Sequence, residues 1–259
     1  MYTISTLSAC RVNYGTQRKE NDIKYFVVHY TANTGDMAVN NAKYFARESV
    51  YASAHYFIDE KEVWQSVPDD YIAYHVGSNK YYNACRNYNS LGFELCDSVD
   101  SVPSATMRRA MDLISDKMIE YGVYSDANLV RHYDVTRKKC PVYYVQHPQE
   151  WKEFKRGVQY LMFVKRLQIC QNITIDGIAG NQTLGATVTI SQTVNNRHPL
   201  VKIVQDYLNG IGYDCGYADG IAGPMFDRAV KKFQKDNDCI ADGELTEMRK
   251  TWQKLLKLA

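Results

Sequence analysis

What this chain of 259 residues lacks narrows its function before any motif is considered. It has no apolar run long enough to span a membrane, and residues 1–24 hold no stretch of signal-peptide length. The expectation is a protein made in the cytoplasm, not inserted in a membrane, that reaches any outside target by another route. It also lacks an excess of either charge, since 31 basic and 29 acidic residues leave a net +2. No basic run exceeds Arg137-Lys138-Lys139, which argues against nucleic acid as the main partner. The seven cysteines contain no C-x-x-C pair, and an odd count in a chain this long is poor material for a disulfide framework. Tyrosine, by contrast, is abundant at 21 residues, which suits stacking on sugar rings and the packing of strands alike.

The hydrophobic pattern divides the chain in two. Ile23–Tyr30 is a β-branched and aromatic run that reads as a buried strand. Asp36 is placed to cap a helix running to about Glu48. His55–Asp59 and Glu62–Val67 flank Glu60-Lys61 as a hairpin, and Leu91–Cys96 and Asn128–His132 are further short strands. Pro103 opens an amphipathic helix in which Met107, Met111, Ile114, Met118 and Tyr121 recur at helical spacing up to Gly122. A last helix covers about Pro148–Val158. This mixture predicts an α/β domain. Beyond it, Asp176-Gly-Ile-Ala-Gly180 recurs as Asp219-Gly-Ile-Ala-Gly223, 43 residues later, each copy following a similar helical stretch. That is an internal duplication within a small helical module. A third Asp-Gly, Asp242-Gly243, precedes a predicted helix over 244–258.

Two histidines, His29 and His132, are predicted at strand ends, and Cys140 follows His132 by eight residues. If the intervening loop folds back, two imidazoles and a thiolate converge. Zinc accepts such a set and keeps a fourth position open for water. Taken singly, each residue is better explained by packing.

The motifs as a group go further. Val27-Val28-His29-Tyr30-Thr31-Ala32, Ser53-Ala54-His55-Tyr56-Phe57-Ile58-Asp59, Leu91-Gly92-Phe93-Glu94-Leu95-Cys96 and His132-Tyr133-Asp134 through Lys138-Lys139-Cys140-Pro141 stand in one order. In that order the chain is similar to the type 2 N-acetylmuramoyl-L-alanine amidases, in the superfamily of peptidoglycan recognition proteins and small phage amidases. The resemblance covers roughly residues 10–155. It implies a mixed central β-sheet flanked by helices over 1–157, and Zn²⁺ on His29, His132 and Cys140. It also implies a catalytic carboxylate at Glu94 and a catalytic lysine at Lys138. His55, Tyr56 and His75 are candidate substrate contacts, or supports for the metal ligands. One departure stands out: some superfamily members carry Tyr where this chain has Ala54. The C-terminal repeat, over 160–259, resembles the peptidoglycan-binding modules attached to wall hydrolases. Such a tether raises the effective concentration of an enzyme at its polymer. The implied partner is bacterial peptidoglycan, and the missing leader favours a phage endolysin over an autolysin.

Three other readings make different forecasts. A binding-only relative of the same fold would recognise muropeptide without cutting it, although such members commonly lose the cysteine ligand. A cysteine hydrolase with Cys140 as nucleophile and His132 as base would be indifferent to chelation. A wall-anchoring protein built around the repeat would release nothing from purified wall.

Overall fold

In the computed structural model, which describes residues 2–259, the chain separates into two units, one ending at Lys155 and the other spanning Arg156–Ala259. The first is α/β. Its eight strands are β1 (Ile4–Thr6), β2 (Tyr14–Gln17), β3 (Tyr25–Tyr30), β4 (Tyr56–Ile58), β5 (Val63–Gln65), β6 (Tyr71–Ala73), β7 (Ser90–Leu95) and β8 (Leu129–Arg131). Six form one mixed sheet in the order β1-β5-β4-β7-β3-β8, and β2 pairs with β6 apart from it. The predicted hairpin is the antiparallel β4–β5 pair, whereas β4, β7, β3 and β8 run parallel. Parallel central strands are covered on both faces, which explains why β3 reads as unbroken apolar sequence up to His29.

Register decides what faces what. His29 of β3 stands opposite Glu94 of β7, and Val28 opposite Phe93. Neighbours in register share a face, so His29 and Glu94 lie on one side of the sheet and Val28 and Phe93 on the other. That second side is an aromatic layer in which Phe93 stacks between Phe26 and Tyr56, at centroid distances of 6.3 and 5.3 Å.

The helices of this unit are α1 (Ala38–Arg47), α2 (Ser104–Glu120), α3 (His132–Thr136) and α4 (Val142–Gln146). The first amide of α1 is capped from across the fold by Asp59, whose carboxylate accepts from Ala38 N at 2.8 Å. Asp36, expected in that role, instead accepts from Met37 N and the Asn41 side chain. Helix α2 starts after Pro103 as its sequence indicates. Its buried stripe is Thr106, Ala110, Leu113, Ile114 and Met118, rotated from the Met107–Met111 line. The strand expected over 128–132 stops at Arg131, and His132 opens a helix instead of closing a strand.

Helix α5 (Pro148–Cys170) runs well past the predicted Val158. The second unit is helical, with α6 (Asn181–Gly185), α7 (Pro199–Gly210), α8 (Pro224–Asp236) and α9 (Lys250–Leu255). The last is shorter than predicted because Leu245 instead bridges Ile190. Trp252 fills the core of this unit, its indole N–H shared between the carbonyls of Val188 and Leu245.

One hydrogen-bond pattern occurs three times in this unit, at both repeated Asp-Gly corners and at Asp242-Gly243. Gln168, Gln205 and Gln234 are each buried, and each amide nitrogen donates to an aspartate, Asp176, Asp219 or Asp242, at 2.7, 3.0 and 2.8 Å. Each amide oxygen accepts from the following glycine, Gly177, Gly220 or Gly243. All three glycines have positive φ, which is why glycine stands there. Gln205→Ala should therefore strip the Gly220 amide of its acceptor and leave the Asp219 corner short of a donor. Asp219 is exposed and can turn to water, so the expected cost is about 1–3 kcal/mol, the range for removing one partner of a hydrogen-bonded set. Loss of hydrogen-exchange protection at Gly220 checks it, and unchanged protection would refute the lock.

Candidate metal and catalytic site

The site assembles where β3 and β8 end. His29 is carried by β3, and β8 delivers His132 as the first residue of α3. That short helix ends at Arg137, which takes a left-handed conformation at φ +69°. The chain then turns back on itself. Cys140 N donates to Lys138 O at 2.7 Å, and Tyr133 N donates to Cys140 O at 2.9 Å. This return brings the sulfur beneath the histidines. His29 Nδ1 is 3.1 Å from His132 Nδ1 and 3.7 Å from Cys140 Sγ, and the three donor atoms all lie within 4.8 Å of one another. Among the described residues, no other group of three or more such side chains converges in this way.

The donor set fits zinc. Usual bond lengths at tetrahedral angles place two imidazole nitrogens about 3.3 Å apart, and nitrogen and sulfur about 3.6 Å apart. The protein alone holds these groups at a cost. Burial keeps His29 far below the ordinary imidazole range, with His132, His75 and Lys138 adding to it, and burial brings His132 down to about 4. Both therefore present neutral rings, the form that ligates metal. Burial and then Glu94 push the Cys140 thiol up to about 12, against the backbone N–H of Tyr30 and the charge of Lys138. A thiol so raised is no free nucleophile. A cation held between the three residues would supply the charge that makes it a thiolate.

Glu94 and Lys138 sit beside this cluster. Glu94 Oε2 is buried without a hydrogen-bond partner, and burial pushes the carboxyl up to about 7, with Lys138 opposing and Asp36 assisting. The turn at Arg137 separates the members of the triplet Arg137-Lys138-Lys139. Arg137 lies over the rings of Tyr82 and Tyr133, at 4.6 and 5.3 Å. Lys138 is the member whose charge acts on His29, Glu94, His132 and Cys140.

The remaining candidates lie deeper. His55 is fully buried, accepting from Gly92 N at Nδ1 and meeting Tyr71 O at Nε2. Tyr56 belongs to the opposite face of the sheet, where its hydroxyl donates to Asp69 at 2.6 Å. It cannot stand in for the tyrosine absent at Ala54. His75 is buried too, with Nδ1 3.0 Å from His29 Nε2, so it backs His29 rather than lining a surface. Two residues with no assigned part in the motifs prove structural to this arrangement. Gly92 leaves space for the His75 ring, since a Cβ there would stand 2.8 Å from it. Ser90 meets that ring's other nitrogen. A glycine inside a buried strand was the signal available for the first.

Comparison with known proteins agrees with this geometry. Residues 19–143 match the N-acetylmuramoyl-L-alanine amidase family profile. The first unit is a domain of that family. Residues 197–255 match the profile of a peptidoglycan binding domain. The amidase CwlL of Bacillus licheniformis is 32% identical over 236 residues, covering 85% of this chain and 63% of the relative. The amidase BlyA of Bacillus subtilis (strain 168) is 35% identical over 154 residues, covering 54% of this chain and 42% of its own. The chain thus spans less than two thirds of these relatives' length. The catalytic domain of XlyA superposes with a TM-score of 0.52 at 28% identity, covering 60% of this chain and 99% of that one. In the amidase domain, then, the possible metal site lies within the matched segment, which also holds Glu94 and Lys138. All seven cysteines are free, and no helix among the described residues is long and apolar enough to cross a membrane.

Proposed function

We propose that this protein is a zinc-dependent N-acetylmuramoyl-L-alanine amidase, which hydrolyses the amide between the lactyl group of N-acetylmuramic acid and L-alanine in bacterial peptidoglycan. The observation that carries the reading is the convergence of His29, His132 and Cys140 on one point, with Glu94 beside His29 in register. His29, His132 and Cys140 would hold Zn²⁺, which supplies a Lewis acid and lowers the pKa of an attacking water. Glu94, with its carboxyl raised toward neutrality, takes the proton of that water and returns it to the departing alanine nitrogen. Lys138 places a positive charge where the carbonyl oxygen becomes anionic. In the proposed division, residues 1–157 cut and residues 160–259 hold the polymer, which keeps the blade at its substrate.

The decisive assay is the chemistry of the new ends. Purified peptidoglycan incubated with the protein should gain free L-alanine amino groups and no reducing sugars. New reducing sugars would mean a glycosidase, and no release at all would leave a binding protein. The cysteine-hydrolase alternative is disfavoured by the buried Cys140 thiol held near 12.

A further inference from the structure

Behind His29 runs a chain of hydrogen bonds that the proposed reaction does not use. His29 Nε2 lies 3.0 Å from His75 Nδ1, and His75 Nε2 lies 3.0 Å from Ser90 Oγ. Ser90 Oγ in turn donates to Arg86 O at 2.6 Å. None of the three side chains is more than 8% exposed, so water does not break the chain. The protons can therefore be counted. A serine hydroxyl has a single proton, and a carbonyl can only accept. Ser90 spends its proton on Arg86, so it accepts from His75, which must carry its own proton on Nε2. A neutral imidazole has only one N–H, so His75 Nδ1 is bare. The proton shared between the two rings then belongs to His29 Nε2. It follows that His29 Nδ1 is bare, and this is the nitrogen that faces His132 Nδ1 and Cys140 Sγ.

The ring that does this is held from every side. It packs edge-on to His29 at 5.1 Å and to His55 at 5.7 Å. The backbone amides of His75 and Val76 both donate to Asn87 Oδ1, at 3.1 and 2.8 Å. Beneath it, Gly92 offers no Cβ to push it away.

We propose that His75 is a positioning residue for His29: fixed as the Nε2–H tautomer through Ser90, it accepts the His29 Nε2 proton and so presents the bare Nδ1 to the metal. The inference rests on the reading that His29 is a metal ligand. Partners of this kind orient the imidazole and sharpen its basicity, and their loss typically costs 10–100-fold in metal affinity.

The first test needs no variant. Long-range ¹H–¹⁵N correlation of the metal-free protein should show the proton of both His75 and His29 on Nε2. A proton on Nδ1 of either ring overturns the proposal. The second test is zinc affinity by competition with a chromogenic chelator. Ser90→Ala touches no metal ligand, yet it should weaken Zn²⁺ binding 10–100-fold. In His75→Asn the side-chain oxygen takes the Nδ1 place and needs no hydroxyl behind it, so adding Ser90→Ala should then change affinity less than about twofold. A Ser90→Ala loss that is the same size in both backgrounds reflects packing alone and overturns the proposal. So does an unchanged affinity in the single variant. Neither readout measures hydrolysis. Failure to cut peptidoglycan would sink the proposed function and leave the tautomer result to stand or fall separately.

Discussion

Glu94→Gln should keep its zinc and lose its turnover. The substitution preserves the shape of the side chain on β7 and leaves His29, His132 and Cys140 in place, so metal content should stay near one per chain. It removes the group that accepts and returns a proton, and general acid–base catalysis of this kind is worth about 10²–10⁴-fold in rate. Release of L-alanine amino groups is the rate to follow, with zinc measured on the same samples. Retention of full activity would remove Glu94 from the mechanism. Parallel loss of zinc would instead make it a structural support. The wild-type pH profile carries the same signature. The acting form is the carboxylate, so activity should fall as pH drops through the carboxyl's own pKa, about 7 in the metal-free protein and lower once a cation stabilises the charge. That limb should vanish from the residual rate of Glu94→Gln.

The same residue should register in stability, with a sign that can be worked out. Its folded pKa is raised from the usual 4.5 to about 7, so folding favours the protonated form. Its contribution is present in full below about 4.5 and is lost as pH rises through about 7. Glu94→Gln cannot ionise. In the metal-free protein it should therefore be more stable than wild type at pH 8, by about 3 kcal/mol, and about equal at pH 4. Functional sites often store such a cost.

His132→Ala is expected to fail differently. It removes one of two imidazoles from a three-residue site, and the pair left behind, His29 and Cys140, cannot close around the ion. Zinc content should fall to a small fraction of one per chain and hydrolysis should fall with it, by more than about 10³-fold. Wild type treated with a chelator should behave like the variant and recover when Zn²⁺ is returned. The variant should not recover at the same Zn²⁺ concentration. Inactivation by alkylation together with indifference to chelation would revive Cys140 as a nucleophile. The two experiments divide the site, since one loses the chemistry and keeps the metal while the other loses both.

The sequence by itself determined the order of the motifs and the α/β character of the first unit, because short, strongly apolar segments have a readable period. That His29, His132 and Cys140 belong together was legible only through the resemblance of the ordered motifs to the amidases, since each residue alone reads as packing. The sequence also showed two of the three Asp-Gly corners as a repeat. The third was obscured because Gln234 and Asp242 are eight residues apart, like Gln168 and Asp176, but lack the flanking Ile-Ala-Gly.

Tertiary structure decided the rest, because it depends on which face of a strand meets which neighbour. Parallel pairing put Glu94 beside His29 and sent Tyr56 to the far side of the sheet, a difference of one pleat that no local pattern records. The left-handed turn at Arg137 set Lys138 near the histidines, so that its charge acts on them, while Arg137 lies over Tyr82 and Tyr133. And the imidazole of His75, distant in sequence from both Ser90 and His29, was set between them by the space above Gly92. Which nitrogen of His29 is bare is a property of that packing, not of the residue.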